Sequence, residues 1–210
     1  MAQRWLIVGA MGVETAPLLA CLSGSRVLTR RTLVGQLDGQ EVAITTCGVG
    51  PDAAKKATAA SLTAFHADAV ISVGTAGALV DTLARGSVHS IGRVFYRGAL
   101  VDELQPLGGL PATSVCTVAE GVWTSERRNR LAALGAELVE MELAAVLEAA
   151  RAHSPTLPVH GIKVVSDAAG GEEDAVVRAA RPDRIARFKI RALGLATTKL
   201  TPAIRAAIKA

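Results

Sequence analysis

Four apolar runs, Trp5 to Val8, Val42 to Thr46, Ala69 to Val73 and Val159 to Val165, each give way to a short stretch rich in glycine, as buried strands do on leaving a sheet. Further strand-like runs lie near 88–95 and 113–118. All of them alternate with helix-forming segments near 14–22, 52–65, 125–134, 141–152 and 172–199, and a hairpin is expected around Val27 to Ile44. Such alternation predicts an α/β protein, a three-layer α/β/α sandwich whose central sheet is mixed and mainly parallel. At 210 residues, half of them hydrophobic and with no internal repeat or low-complexity linker, the chain is expected to form one domain over residues 1–210.

Acidic residues stand at the places where such a sheet binds ligands. Asp167 follows the run Val159 to Val165 and precedes Ala168, Ala169, Gly170 and Gly171, so it falls at the carboxyl end of a strand. The plainer reading is an Asp that caps the next turn. Glu142 lies within Leu138 to Ala152, made almost wholly of strong helix formers, and its i+3, i+4 and i+7 positions are Ala145, Val146 and Ala149. A carboxylate therefore opens an apolar helix face. Either it complements the helix dipole from solvent, or it is buried and must be hydrogen-bonded or put to use. Glu14 falls at the junction between the first strand and its helix, with Pro17 expected in that helix's first turn.

Two glycine-containing turns share this layout, Cys47 to Gly50 and Gly74 to Gly77, and each can present N–H groups to a ligand oxygen. The full dinucleotide fingerprint is missing after the first strand, which argues against a nicotinamide or flavin site. No cofactor is expected.

In order, these blocks are GAMxxE (Gly9, Ala10, Met11, Glu14), GVG before an Ala-rich helix (Gly48 to Gly50), VGTAG (Val73 to Gly77), VEMExAAV (Val139 to Val146) and VSD (Val165 to Asp167). Their order resembles the nucleoside phosphorylase and nucleosidase superfamily, and within it the methylthioadenosine/S-adenosylhomocysteine nucleosidases. The resemblance implies a nucleoside phosphorylase-like fold and cleavage of the N-glycosidic bond of a purine nucleoside, with a 5′-modified adenine nucleoside as the expected small-molecule partner. It also implies a homodimer whose partner closes the 5′ end of the pocket. By the same resemblance Asp167 is the general acid, donating to N7 of the base and accepting from its 6-amino group, and Glu14 is the base that activates water. Glu142 holds the ribose hydroxyls, with the backbone of Met141 and the side chain of Glu140 nearby. Thr75 stands beside the water, and Ala76, Gly77 and Ser166 complete the substrate-binding positions of these motifs.

The chemistry suits those residue types. Breaking an N-glycosidic bond passes through a ribosyl cation-like state that needs a proton donor for the leaving base, hydrogen bonds to ribose and an aligned nucleophile. An unperturbed Asp titrates near about 3.9, so Asp167 would need desolvation and nearby carboxylates to hold its proton near neutral pH. A carboxylate at Glu14 repels phosphate and suits water, which favours hydrolysis; the alternative, phosphorolysis, would draw on Arg85, Arg93 or Arg97 from a loop. Two departures bear on the substrate. Leu143 replaces the small residue that relatives usually carry after Met141 and Glu142, and the aromatic that stacks on the base is not evident, leaving Val118, Ala119 or Trp123 to line that side. Another 5′-modified adenine nucleoside, such as a hopanoid- or menaquinone-pathway intermediate, therefore stays open.

Other classes of function find less support. Cys21, Cys47 and Cys116 form no CxxC, and His66, His89, His153 and His160 lack ligand spacing, so neither a disulfide framework nor a metal site is expected. The net charge of +4 gathers late, with nine basic residues between Arg178 and Lys209 against Asp183. That stripe is the best case for a nucleic-acid-binding protein, but the chain has only three Phe, two Trp and one Tyr to stack on bases, so a solvated helix face is the better reading. A catalytically dead nucleoside-binding relative is the third option; keeping all three acids speaks against it. No apolar stretch approaches the roughly 18 residues of a spanning helix and no signal peptide opens the chain, so no membrane partner and a cytoplasmic location are expected.

Overall fold

A computed structural model describes residues 3–122, 124–169 and 182–209. Ten strands form one sheet: β1 (Arg4–Gly9), β2 (Ser23–Thr29), β3 (Thr32–Leu37), β4 (Gln40–Thr46), β5 (Ala69–Ala78), β6 (Val88–Tyr96), β7 (Ala99–Glu103), β8 (Ala112–Thr117), β9 (Leu138–Glu140) and β10 (Val159–Asp167). The helices are α1 (Gly12–Leu19), α2 (Pro51–Ala64), α3 (Ser125–Ala133), α4 (Leu143–His153), α5 (Pro182–Leu195) and α6 (Thr201–Ala207), the last two joined by a π-helical turn at Ala196–Leu200. The strand order is β10-β6-β8-β9-β5-β1-β4-β3-β2, with β7 on β6, and β10 also pairs with β5. The sheet thus curls until β5, β10, β6, β8 and β9 close a ring.

Parallel pairing runs through strands that carry or lead into the motifs of the sequence: β4 on β1, β1 on β5 and β5 on β10. Their side chains feed both faces, as a doubly covered sheet requires. Leu6 and Val8 of β1 pack with Ala54 and Leu62 of α2 and with Leu143, Val146 and Leu147 of α4, whereas Trp5 and Ile7 face Leu18 of α1 and Leu200 and Ile204 near the C-terminus. The layers expected from the alternation of segments are therefore present, with a mixed sheet between them.

Several boundaries differ from the sequence reading. Gly74 to Gly77 is not a turn; β5 runs on to Ala78, because Gly74 to Ala76 pair with Lys163 to Val165 of β10 and Gly77 pairs with Asp167 and Val139. Leu138 to Glu140, which open the run of strong helix formers ahead of the helix expected near 141–152, form strand β9, wedged between β5 and β8, so pairing overrides local preference. The expected hairpin is a three-stranded meander, β2-β3-β4, and β7 adds a strand that was not foreseen. Pro17 sits inside α1 rather than in its first turn. Of the helix expected over 172–199, residues 172–181 lie outside the described residues, and so does Trp123.

Candidate active site

All ten residues singled out as site positions line one cavity of about 430 Å³: Glu14, Thr75, Ala76, Gly77, Val118, Glu140, Met141, Glu142, Ser166 and Asp167. They come from β1–α1, β5, the β8 exit, β9–α4 and β10, so the sheet topology alone brings them together.

Glu14 is the third residue of α1 and is 2% exposed. One carboxylate oxygen accepts from the backbone N–H of Met11 at 3.0 Å, closing the helix start; the other accepts from the N–H of Thr75 at 2.7 Å and its hydroxyl at 2.9 Å. Gly74 makes this approach possible. A Cβ there would lie 3.0 Å from the Glu14 carboxylate, and its φ of +150° is one that side chains rarely adopt. Gly77 does the same for the other acid, since a Cβ there would stand 2.9 Å from Asp167 Oδ2. Two glycines of one strand thus admit two carboxylates from different elements.

The floor is built by Glu140. Its carboxylate accepts from the N–H groups of Glu142 and Leu143 at the start of α4, where a helix leaves its donors unpaired and favours negative charge. The Thr117 hydroxyl donates to Glu140 at 2.5 Å and accepts from Ala144 N–H at 3.0 Å, satisfying a further helix donor. Lys163, 1% exposed within β10, donates to Glu140 at 2.9 Å and to Ser72 at 3.2 Å. Burial pulls the Lys163 ammonium toward neutrality, but Glu140 and then Glu142 more than offset it, and its titration is raised.

Glu142 precedes α4 and accepts from the N–H of Gly50, the residue before α2, at 2.8 Å. Burial first, and then the charge of Glu140, push its carboxyl up to about 7, with Lys163 and the Gly50 N–H opposing. Near neutrality the group sits between its two forms, so a ligand hydroxyl that donates to it draws it toward the carboxylate.

Asp167 ends β10 with a side chain 25% exposed. Its charged neighbour is not a carboxylate, as the sequence reading supposed, but Arg128 of α3, whose Nη2 donates to Oδ2 at 2.7 Å. Arg128 is the one cation among the described residues lining the cavity; Arg85, Arg93 and Arg97 do not line it. Val118 is the base-side candidate that lines the cavity, Ala119 does not, and an aromatic not foreseen, Phe188 of α5, joins the wall. Cys47 lies nearby, but burial and the charge of Glu142 push its thiol up to about 12, which leaves no thiolate for nucleophilic attack.

Outside the cavity, Arg205 and Lys209 of the late basic run pair with Asp38 at 2.6 and 3.2 Å, Arg187, Lys189 and Lys199 are exposed, and Arg178 and Arg181 lie outside the described residues. Among the described residues no group of three or more His, Cys, Asp or Glu is placed to hold a metal ion, and no helix is long and apolar enough to cross a membrane.

Comparison with known proteins gives the same frame. Over 85 residues the chain is 38% identical to a 5′-methylthioadenosine/S-adenosylhomocysteine nucleosidase of Shewanella loihica, a stretch covering 39% of this chain; the chain thus spans only 37% of the length of that relative. The same-named enzyme of Colwellia psychrerythraea, solved in complex with adenine, superimposes with a TM-score of 0.77 at 22% identity, covering 99% of this chain and 96% of that one. Futalosine hydrolase of Helicobacter pylori superimposes with a TM-score of 0.80 at 18% identity, covering 100% of this chain and 98% of the other. At such identities the likeness is one of fold. A family model described as the phosphorylase superfamily matches residues 4–107 and 110–201, and on that match the chain belongs to the phosphorylase superfamily.

Proposed function

We propose that the protein hydrolyses the N-glycosidic bond of a purine nucleoside, with a 5′-modified adenine nucleoside such as 5′-methylthioadenosine as the preferred class. The observation that carries this reading is that Glu14, Glu142 and Asp167, 153 residues apart at the extremes, line one cavity. Asp167 protonates the departing purine. Glu142 takes hydrogen bonds from the ribose hydroxyls, with Met141 beside it. Glu14, held by Met11 and Thr75, has lone-pair capacity left to take a proton from the attacking water. Ala76, Gly77, Val118, Ser166 and Phe188 supply the wall against base and sugar.

Hydrolysis is favoured over phosphorolysis by charge. Among the described residues the cation that lines the cavity is Arg128, which is engaged by Asp167, and the Glu14 side presents a carboxylate rather than a guanidinium to an incoming anion. A homodimer in the cytoplasm belongs to the same reading. Val49 lines the cavity while 58% exposed, an apolar side chain at the open end that a partner subunit would cover. Incubation with 5′-methylthioadenosine, S-adenosylhomocysteine, adenosine and inosine, followed by detection of released base, tests the proposal. Release of adenine, fastest from a 5′-thio nucleoside, is expected; release of hypoxanthine alone would overturn the adenine assignment, and no release at all the activity.

A further inference from the structure

The Asp167 carboxyl is held on three sides by contacts that are not equivalent. Gly77 lies flat against it, Arg128 Nη2 donates to Oδ2, and the Ser166 hydroxyl stands 2.5 Å from Oδ1. Arg128 is itself buried and fixed, because its Nη1 donates to the carbonyl oxygens of Ala78, the last residue of β5, at 3.0 Å and of Ala168, just past the acid at the end of β10, at 3.2 Å. A guanidinium only donates, so Oδ2 is bound to act as acceptor and is the poorer seat for a proton. Oδ1 faces a hydroxyl that can do either. Ser166 Oγ has one proton and two acceptors in reach, Oδ1 at 2.5 Å and Ala76 O at 3.2 Å. With Asp167 ionised, the hydroxyl donates to Oδ1. With Oδ1 protonated, it accepts that hydrogen and turns its own toward Ala76 O, so both states are satisfied.

We propose that Arg128 is a positioning residue that places the transferable proton of Asp167 on Oδ1. The inference rests on the reading of Asp167 as general acid. In the step it serves, the C1′–N bond breaks and its electron pair passes to the purine. The Oδ1 proton moves to the purine, water adds to C1′, and the water's proton goes to Glu14. Arg128 stays charged throughout and faces the carboxylate that is left behind. Nothing in its role touches ribose or the 5′ group, so its loss should fall on kcat and only where the leaving group needs a proton.

Two substrates separate this from a merely structural tether. On 5′-methylthioadenosine, Arg128→Ala is expected to lower kcat about 100-fold with KM changed less than about threefold, and guanidinium ion at a sub-denaturing concentration should restore part of the loss. On 4-nitrophenyl β-D-ribofuranoside, whose phenolate departs unprotonated, the same variant should keep its rate within about threefold of the wild type. Equal losses on both substrates, or no loss on either, overturn the proposal. Should the Ala variant fail to fold, Arg128→Lys decides, since a lysine keeps the charge but cannot span three acceptors. About a tenfold loss confined to the purine substrate supports the proposal, and equal behaviour on both substrates ends it. Asp167→Asn measured alongside tests the underlying reading. If that variant cleaves 5′-methylthioadenosine at the wild-type rate, the general-acid role itself fails; if it loses only the purine substrate while Arg128→Ala loses neither, the proposal alone fails.

Discussion

The floor and the rim of the cavity hold their carboxylates by different means. On the floor, Glu140 and Glu142 are 5% and 9% exposed, and Lys163 beneath them is 1% exposed, so three ionisable groups sit where water cannot screen them. At the rim, Asp167 is a quarter exposed and is held by two side chains, Arg128 and Ser166. A buried charge cluster ties function to stability, because removing its one cation leaves buried carboxylates without the charge that faces them. A rim acid can be changed at a cost in rate alone. Glu14 shares the rim's independence despite its burial, since two of its three hydrogen bonds come from backbone N–H groups that substitution elsewhere does not remove.

The largest expected effects break catalysis without touching the fold. Asp167→Asn and Glu14→Gln should each lower kcat on a purine nucleoside by roughly 10²- to 10⁴-fold. Glu14→Gln also turns an amide NH2 toward a backbone N–H and gives up about 1–3 kcal/mol, whereas the urea unfolding midpoint of Asp167→Asn stays at the wild-type value. A loss of stability in Asp167→Asn would erase the contrast drawn between rim and floor. Lys163→Met should behave in the opposite sense, destabilising the protein by about 3–5 kcal/mol in urea unfolding, because Glu140 loses the cation that faces it and stays in its buried place.

Glu142 gives a smaller effect with a definite pH signature. The folded protein binds its proton more tightly than the unfolded chain, where a Glu titrates near 4.5, so wild-type stability should fall as pH rises from there through about 7. Glu142→Gln keeps an acceptor for Gly50 N–H but cannot ionise. It should match the wild type at pH 4.5 and exceed it by roughly 2 kcal/mol at pH 8, as chemical denaturation at the two pH values would report. A variant less stable than the wild type at pH 8 would mean that the Glu142 charge is not strained by its neighbours. The smallest effect belongs to the rim: Gly77→Ala pushes a methyl to 2.9 Å from Asp167 Oδ2, and kcat is expected to drop about tenfold with little change in stability.

How far these features could be read from the chain depends on how each residue stands against its background. Asp167, Glu142 and Glu14 were visible because each interrupts or closes an apolar pattern, and the fold class followed from strand-like and helix-like runs in alternation. Arg128 was not, since Ser125 to Leu131 carries three arginines on a polar helix and nothing local distinguishes the one that turns inward. Lys163 does carry a local signal, since a lone cation inside the apolar run Val159 to Val165 demands a buried partner. Phe188 joins the site from α5 across a long stretch of chain, a contact no local pattern announces. The extension of β5 through Gly77 was hidden because glycine signals a turn in isolation, whereas here it serves the close approach of two carboxylates.

The most direct measurement is the identity of the sugar product from 5′-methylthioadenosine, with and without inorganic phosphate. The account predicts adenine and the free 5-methylthio sugar at the same rate in both buffers, with release abolished in Glu14→Gln. A requirement for phosphate with formation of the sugar 1-phosphate, or undiminished release by Glu14→Gln, would contradict it.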